Sequence, residues 1–209
     1  MSERRPGDQK LAQAMERHPN TVISGVALAY ALPIDDAGRA RLKRLSWTLP
    51  AALQVESWTD FNLPVVVEAP TAGGRVVSVE NVGIASLWPD VDGNVRRIPL
   101  FHRAQGVVLP AIALATTFAG RARPRVEYDS GRQELRLGGH VWPLDNDGRV
   151  VLNFPSNINA VKSIPFHLLA MAAMGANASP LDGDGFKGKT VIIGSTALQT
   201  DAVHTPHGL

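Results

Sequence analysis

The segment formed by residues 88–100 constrains the fold of this chain more than any other. Its sequence is WPDVDGNVRRIPL, in which the Asp-Gly pair tolerates the positive φ that a reversing chain needs. The flanking residues 84–88 and 95–100 are rich in strand-forming side chains. The segment therefore predicts a β-hairpin whose turn gathers four charged groups. These are Asp90, Asp92, Arg96 and Arg97.

The composition is that of an ordinary globular protein and excludes several functional classes. The chain has 209 residues, of which 44% are apolar and 19% charged, and a formal net charge of +2. Its Lys and Arg residues are scattered along the sequence instead of forming blocks, so no nucleic-acid partner is expected. Cysteine is absent, which excludes disulfides and thiolate chemistry. The longest apolar runs fall short of the roughly 20 residues that cross a bilayer, and residues 1–7 do not lead into a signal peptide.

The order of the predicted elements mixes helices with an antiparallel meander. In chain order the sequence predicts a helix ending at residue 17, a strand over 21–30, a helix over 39–45, the hairpin, a helix over 110–119 that begins at Pro110, a meander over 125–144, a helix over 163–174 capped by Ser163, and a buried strand over 190–193. This order predicts one domain, residues 1–209, of the α/β or mixed α+β class, with a mixed, partly parallel sheet flanked by helices.

Two patterns suggest nucleotide or calcium binding, and both are better explained as loops. Residues 183–190 match the phosphate-binding pattern Gly-x4-Gly-Lys-Thr, but they lead into β-branched residues instead of the helix that such a loop requires. Asp-x-Asp-Gly occurs three times, beginning at Asp90, Asp145 and Asp182. None has the bidentate Glu that a calcium loop carries at its twelfth position, so all three predict turns.

Chemistry near the chain end is also weakly supported. Asp201, His204 and His207 could ligate zinc, but Pro206 prevents one smooth helix and no fourth ligand lies nearby. Ser195, Asp201 and His204 could form a catalytic triad, but the Gly-x-Ser-x-Gly turn that exposes such a nucleophile is missing. The sequence therefore predicts no metal and no cofactor.

The arginine pair allows two interpretations. Neighbouring side chains on a strand face opposite sides, so we expect either Arg96 or Arg97 to face solvent and the other to face the covered side of the sheet or a cleft. A covered guanidinium needs an anion. The first interpretation is a structural ion pair with Asp90 or Asp92, and the second is recognition of an anionic ligand.

Three blocks of sequence, in order, resemble the CHASE2 family of sensor domains. The first is Val82-Gly83 with residues 89–100, which contain Pro-Asp-x-Asp-Gly-x-x-Arg-Arg-x-Pro-Leu, followed by Pro110. The second is residues 143–149 with Asn153-Phe154, and the third is residues 188–197 with Asp201 and Thr205-Pro206. Residues 8–14 are similar to the stretch just before these blocks, so the resemblance covers essentially the whole chain.

The resemblance implies an extracytoplasmic, periplasmic input domain of a bacterial membrane receptor. Such domains control cytoplasmic cyclases, diguanylate cyclases, histidine kinases or Ser/Thr kinases, and they carry no catalytic residues. The family pattern has further strands and helices at both ends, so we expect a domain truncated at both ends. The apolar sheet edge left in this way would favour association, for example as a homodimer.

We predict that the ligand site lies where the charged turn approaches the loop after Ile193. Loops at the carboxyl ends of strands form the usual crevice in open α/β sheets. The predicted site residues are Asp90, Asp92, Arg96, Arg97, Ser195, Thr196 and Asp201, and the predicted partner is a small anionic molecule. The alternative is a small-molecule hydrolase that uses Ser195 or Asp201.

Overall fold

A computed structural model describes residues 10, 13–15, 17–33, 36–63, 81–154, 162–175 and 185–194. The chain divides into two compact units, Met1–Leu152 and Asn153–Leu209, and each is described by itself. Residues 10, 13–15 and 17 are helical, in agreement with the helix predicted to end at residue 17.

The first unit contains two further helices and eleven short strands within its described residues. The helices are α1 (Asp36–Leu45) and α2 (Ile112–Thr117). The strands are β1 (Ile23–Leu28), β2 (Glu56–Ser57), β3 (Asp60–Asn62), β4 (Val82–Ile84), β5 (Arg97–Pro99), β6 (Phe101–Ala104), β7 (Val107–Pro110), β8 (Val126–Asp129), β9 (Glu134–Leu137), β10 (His140–Pro143) and β11 (Arg149–Val151).

Parallel and antiparallel pairings both occur, which confirms the predicted mixed α/β class. Strand β1 runs antiparallel to β3 and parallel to β4. Strand β6 runs parallel to β2 and antiparallel to β7. Strands β8, β9 and β10 form the predicted antiparallel meander, and β5 pairs antiparallel with β11. The pairings fall into several small sheets.

Two clusters of buried side chains hold the first unit together. In one cluster the side chains of Phe61 and Leu109 are almost inaccessible to solvent. In the other, those of Leu135 and Leu137 are almost inaccessible. The alternation along β9 places both leucines inside while Arg136 stays outside. Each fully buried leucine contributes about 1.5–3 kcal/mol relative to an exposed one. The turn segments that carry the charged residues are therefore attached to a well-packed framework.

The turn of the predicted hairpin is confirmed, but the predicted pairing of its two flanking strands was wrong. The turn forms at residues 90–94, but residues 85–90 form no strand, and β5 pairs with β11 instead. Pro89 has no N–H to donate to a neighbouring strand. Trp88 instead stacks on Trp58, with ring centroids 5.0 Å apart and an interplanar angle of 8°.

The helix predicted over residues 110–119 exists but is shorter. Pro110 ends β7, and α2 begins at Ile112 with Ala111 as its N-cap. Leu114 and Ala115 are buried, as expected of a helix that packs against a sheet. None of the helices in the described ranges combines the length and apolarity that a bilayer crossing needs.

In the second unit, the described residues form helix α3 (Phe166–Ala173) and an irregular segment. The predicted N-cap was wrong, because Pro165 and not Ser163 precedes the helix. The predicted buried strand over 190–193 was also wrong, because these residues are irregular and exposed, with Ile192 at 85% and Ile193 at 79%. An apolar run becomes an inner strand only if other strands pair with it, and no described strand does so.

Candidate functional site

The first charged turn is fixed by its own backbone. The Asp90 N–H donates to the Asn94 carbonyl at 2.7 Å, and the Gly93 N–H donates to the Asp90 carbonyl at 2.8 Å. Gly93 has a φ of 81°, the left-handed conformation that this turn requires. The Asp92 carboxylate accepts the Asn94 N–H at 3.1 Å. The turn therefore holds two carboxylates at fixed positions ahead of β5.

A second turn, at residues 145–149, repeats this geometry. The Asp145 N–H donates to the Arg149 carbonyl at 2.9 Å, and the Gly148 N–H donates to the Asp145 carbonyl at 3.0 Å. The Asp145 side chain also accepts the N–H groups of Asp147 and Arg149. The two turns lead into the two strands, β5 and β11, that pair with each other. Two similar turns thus lie at one small sheet.

Arg97 bridges the two turns. One of its terminal nitrogens donates to Asp90 at 2.7 Å, and the other donates to Asp145 at 3.1 Å. The Asp90 side chain is 9% exposed and that of Asp145 20% exposed, whereas that of Arg97 is 37% exposed. The hydrogen bond to Asp90 is the main reason that the pKa of Arg97 is raised. A single guanidinium therefore couples segments that lie far apart in the sequence.

Arg96 belongs to the first turn alone. It forms a two-pronged ion pair with Asp92, at 2.9 and 2.7 Å, and a longer contact of 3.4 Å with Asp90. The hydrogen bond from Arg96, helped by the N–H of Asn94, lowers the pKa of Asp92 far below its usual range. The same bond raises the pKa of Arg96. Asp92, Arg96 and Arg97 are therefore all charged at physiological pH.

These contacts test what the sequence predicted for Arg96 and Arg97. The ion pairs with Asp90 and Asp92 exist, as the first interpretation requires. The expectation that the two arginines face opposite environments was wrong, since their side chains are 41% and 37% exposed and both reach Asp90. The alternation rule fails because β5 begins only at Arg97, so that Arg96 precedes the strand.

An open depression lies over this cluster. Its lining consists of Asp90, Val91, Asp92, Arg96, Arg97 and Val151, and its volume is about 410 Å³. That volume falls in the range of small-molecule sites, although such sites are usually more enclosed. The depression brings together four of the seven predicted site residues. The other three, Ser195, Thr196 and Asp201, lie outside the described residues.

The structure also shows contacts that the sequence did not predict. Asp145 was interpreted only as a turn residue, yet it shares Arg97 with Asp90. Arg149 forms a partly buried ion pair of 3.0 Å with Glu56, which fixes β11 to β2. The repeated Asp-x-Asp-Gly pattern was the available signal for the shared role of the two turns, whereas nothing local indicates a pairing across 93 residues.

A buried aromatic group lies in the framework of the first unit. His102 on β6 is inaccessible to solvent, and its Nδ1 accepts the indole N–H of Trp58 at 3.1 Å. That bond places the imidazole proton on Nε2, which has no hydrogen-bond partner among the described residues. Burial lowers the pKa of His102 to about 4. The imidazole of His102 is therefore neutral in the folded chain at neutral pH.

Metal chemistry finds no support in the part of the chain that the structure describes. There, no three His, Asp or Glu side chains are grouped so that they could hold an ion. The carboxylates of Asp90, Asp92 and Asp145 are paired with Arg96 and Arg97.

Comparison with protein-family models identifies a match. The family model described as the CHASE2 domain matches residues 1–208, which is essentially the whole chain and confirms the resemblance seen in the sequence. No curated protein and no solved structure matches significantly.

Proposed function

We propose, because this chain belongs to the CHASE2 family of extracellular sensor domains, that it is the ligand-sensing input domain of a bacterial transmembrane receptor. The match over residues 1–208 carries this proposal. The domain lies on the periplasmic face of the membrane and does not itself catalyse a reaction. It controls a cytoplasmic output, such as an adenylate or guanylate cyclase, a diguanylate cyclase, a histidine kinase or a Ser/Thr kinase.

The ligand is a small anion that binds in the depression over the charged turn. Ser195, Thr196 and Asp201, which lie outside the described residues, remain predicted ligand-binding residues. The guanidinium groups there are already paired, so an anion binds by exchange with a carboxylate. Asp92 is displaced most readily because its side chain is 47% exposed, whereas that of Asp90 is 9% exposed. Its two-pronged pairing with Arg96 is also the geometry with which a ligand carboxylate or phosphate would bind.

Arg97 supplies the route from ligand to signal. It ties the turn ahead of β5 to the turn ahead of β11. A ligand that draws Arg97 away from Asp90 or Asp145 loosens that link and lets the turns move independently. A conformational change follows only if the ligand favours the loosened arrangement over the bridged one. The movement then passes to segments outside this chain.

A thermal-shift screen with di- and tricarboxylates, phosphorylated sugars and nucleotides tests this site. A true ligand at about one hundred times its Kd stabilises the fold by about 2.7 kcal/mol and raises Tm. We expect Arg96→Gln to weaken the affinity of that ligand at least tenfold. Arg132→Gln is the matched control, because Arg132 is exposed and lies outside the depression.

Two results would overturn the site. The first is that no anion in the screen shifts Tm, and the second is that a ligand binds Arg96→Gln and Arg97→Gln as tightly as it binds wild type.

A further inference from the structure

Two segments of the first unit carry many basic residues and no acidic ones. Residues 37–55 and 93–126 together hold ten of the chain's 21 Lys and Arg residues and none of its 19 Asp and Glu residues. The other 11 basic residues share the rest of the chain with all 19 acidic ones. A net charge of +2 therefore conceals a strong separation of charge along the chain.

The fold brings these two segments together. The Trp47 N–H donates to the Val108 carbonyl at 2.8 Å, and the Val108 N–H donates to the Ser46 hydroxyl at 3.0 Å. Near the start of α1, Arg39 donates to the Gln105 side chain at 3.0 Å. Just after the C-terminal end of α1, the Arg123 guanidinium lies over the Trp47 ring, 5.9 Å from the ring centroid. Contacts at both ends of α1 thus join the two acid-free segments.

Five exposed basic side chains of these segments, on α1 and at residues 121–123, form what we call the basic band; Arg103 on β6 and Arg125, which pairs with Glu127, are also exposed but are not counted in it. Its members are Arg39, Lys43, Arg44, Arg121 and Arg123, all of them exposed. Leu42 and Leu45 bury the inner face of α1, at 6% and 4% exposure, and so leave the basic side chains outside. No member of the band forms an ion pair with another residue in the described ranges.

The basic band suits binding to an extended anionic surface and not to a small molecule held in a pocket. The cleft beside Arg121 and Arg123, lined also by Trp47 and Phe118, has a volume of only about 20 Å³, close to that of one water. On α1 the basic residues from Arg39 to Arg44 span about 7.5 Å along the helix axis, and Arg121 and Arg123 extend the charge past the end of α1, beside Trp47. Positive charge divided between two segments in this way suits an extended anionic surface better than a single small anion.

We propose that the basic band docks onto the anionic headgroups of a lipid bilayer. Arginine binds phosphate oxygens with two parallel hydrogen bonds, and Lys or Arg side chains near an anionic bilayer are attracted to its headgroups. The inference goes beyond the proposed function and relies on it only for placing the domain beside a membrane. The contact would fix the orientation of the first unit against the bilayer.

Co-sedimentation of the 209-residue chain with lipid vesicles tests the band. The vesicles contain either phosphatidylcholine alone or phosphatidylcholine with phosphatidylglycerol, in 50 mM and 500 mM NaCl. We expect binding to the anionic vesicles only, with at least a tenfold loss of affinity in high salt, because salt screens exposed charges. The variant that replaces Arg39, Lys43, Arg44 and Arg121 by Gln should lose at least tenfold in 50 mM NaCl.

A second quadruple variant controls for net charge. It replaces Arg17, Arg132, Lys162 and Lys189 by Gln, which removes the same charge from exposed positions outside the band. We expect it to bind the anionic vesicles like wild type, and both variants to melt like wild type. Any of three results would overturn the proposal. The two variants could lose vesicle affinity equally, the chain could bind both kinds of vesicle equally, or it could bind duplex DNA more tightly than anionic vesicles. The anion screen described above does not involve the band, so either result can fail without the other.

Discussion

His102 shows how one buried residue makes stability depend on pH. In the folded chain its imidazole is neutral, because burial lowers its pKa to about 4. In the unfolded chain the same group takes up a proton near pH 6.5. The unfolded state therefore binds more protons between these two values, so stability is full above pH 6.5 and falls as the pH drops toward 4.

Acidification from pH 7.5 to 5.0 should remove about 2 kcal/mol of stability through His102 alone. Urea unfolding at the two pH values measures this difference. In His102→Gln the side-chain oxygen can still accept the Trp58 N–H, and the pH-dependent loss should shrink by about that amount. His140→Gln, at an exposed histidine, is the control and should retain the wild-type loss. An undiminished loss in His102→Gln would contradict the assignment.

Within the candidate site, the local sequence could predict only the charged turn. Asp-Gly requires a turn, and an arginine four residues after an aspartate can reach it, as Arg96 reaches Asp92. The partnership of Arg97 with Asp145 could not be predicted in this way, because it depends on the pairing of β5 with β11. Ser195, Thr196 and Asp201 remain predictions.

At the scale of elements, the two similar turns differ in what surrounds their glycines. Gly93 and Gly148 both have left-handed φ values, 81° and 76°. A side chain at Gly93 would meet open space, whereas one at Gly148 would collide with the carbonyl of Gln54. The second turn is therefore packed against the segment that leads to β2, and the first is not.

This contrast predicts unequal effects of alanine. Gly93→Ala incurs only the conformational cost of a left-handed residue, about 1–2 kcal/mol. Gly148→Ala adds a clash with backbone that cannot move aside, and the total should reach about 3 kcal/mol or more. Chemical denaturation of the two variants compares the losses directly. Equal losses would show that the packing around Gly148 does not hold in solution.

Local patterns predicted elements well and their partners poorly. The turn residues at 130–131 and 138–139 predicted the meander over 125–144, because its strands are neighbours in sequence and only short turns join them. The partner of β5 lies some fifty residues away, so no local residue specifies it. The apolar run over 190–193 failed for a related reason, since hydrophobicity indicates a tendency to be buried but not the strands that would bury it.

At the scale of the whole molecule, composition hid the distribution of charge. Lys and Arg are scattered along the sequence, yet two acid-free segments come together around α1 in the fold. The scatter of Lys and Arg along the sequence therefore does not predict how these side chains are arranged on the surface of the first unit. Charge that is spread along a chain can still form a continuous patch once helices and strands pack.

We propose that this domain controls an output through the turns that Arg97 bridges. In the proposed receptor, Arg97→Gln removes the bridge to Asp90 and Asp145 but leaves the pair of Arg96 with Asp92 in place. Arg132→Gln is the matched control for the loss of one positive charge. Deletion of the sensor domain provides the reference for an output that receives no input.

The most direct measurement is the output activity of the full-length receptor in native membranes, at equal amounts of inserted protein. We predict that Arg97→Gln and the domain deletion each change that activity, or its response to ligand, severalfold, and that Arg132→Gln behaves like wild type. The same activity in wild type, Arg97→Gln and the deletion would contradict the account.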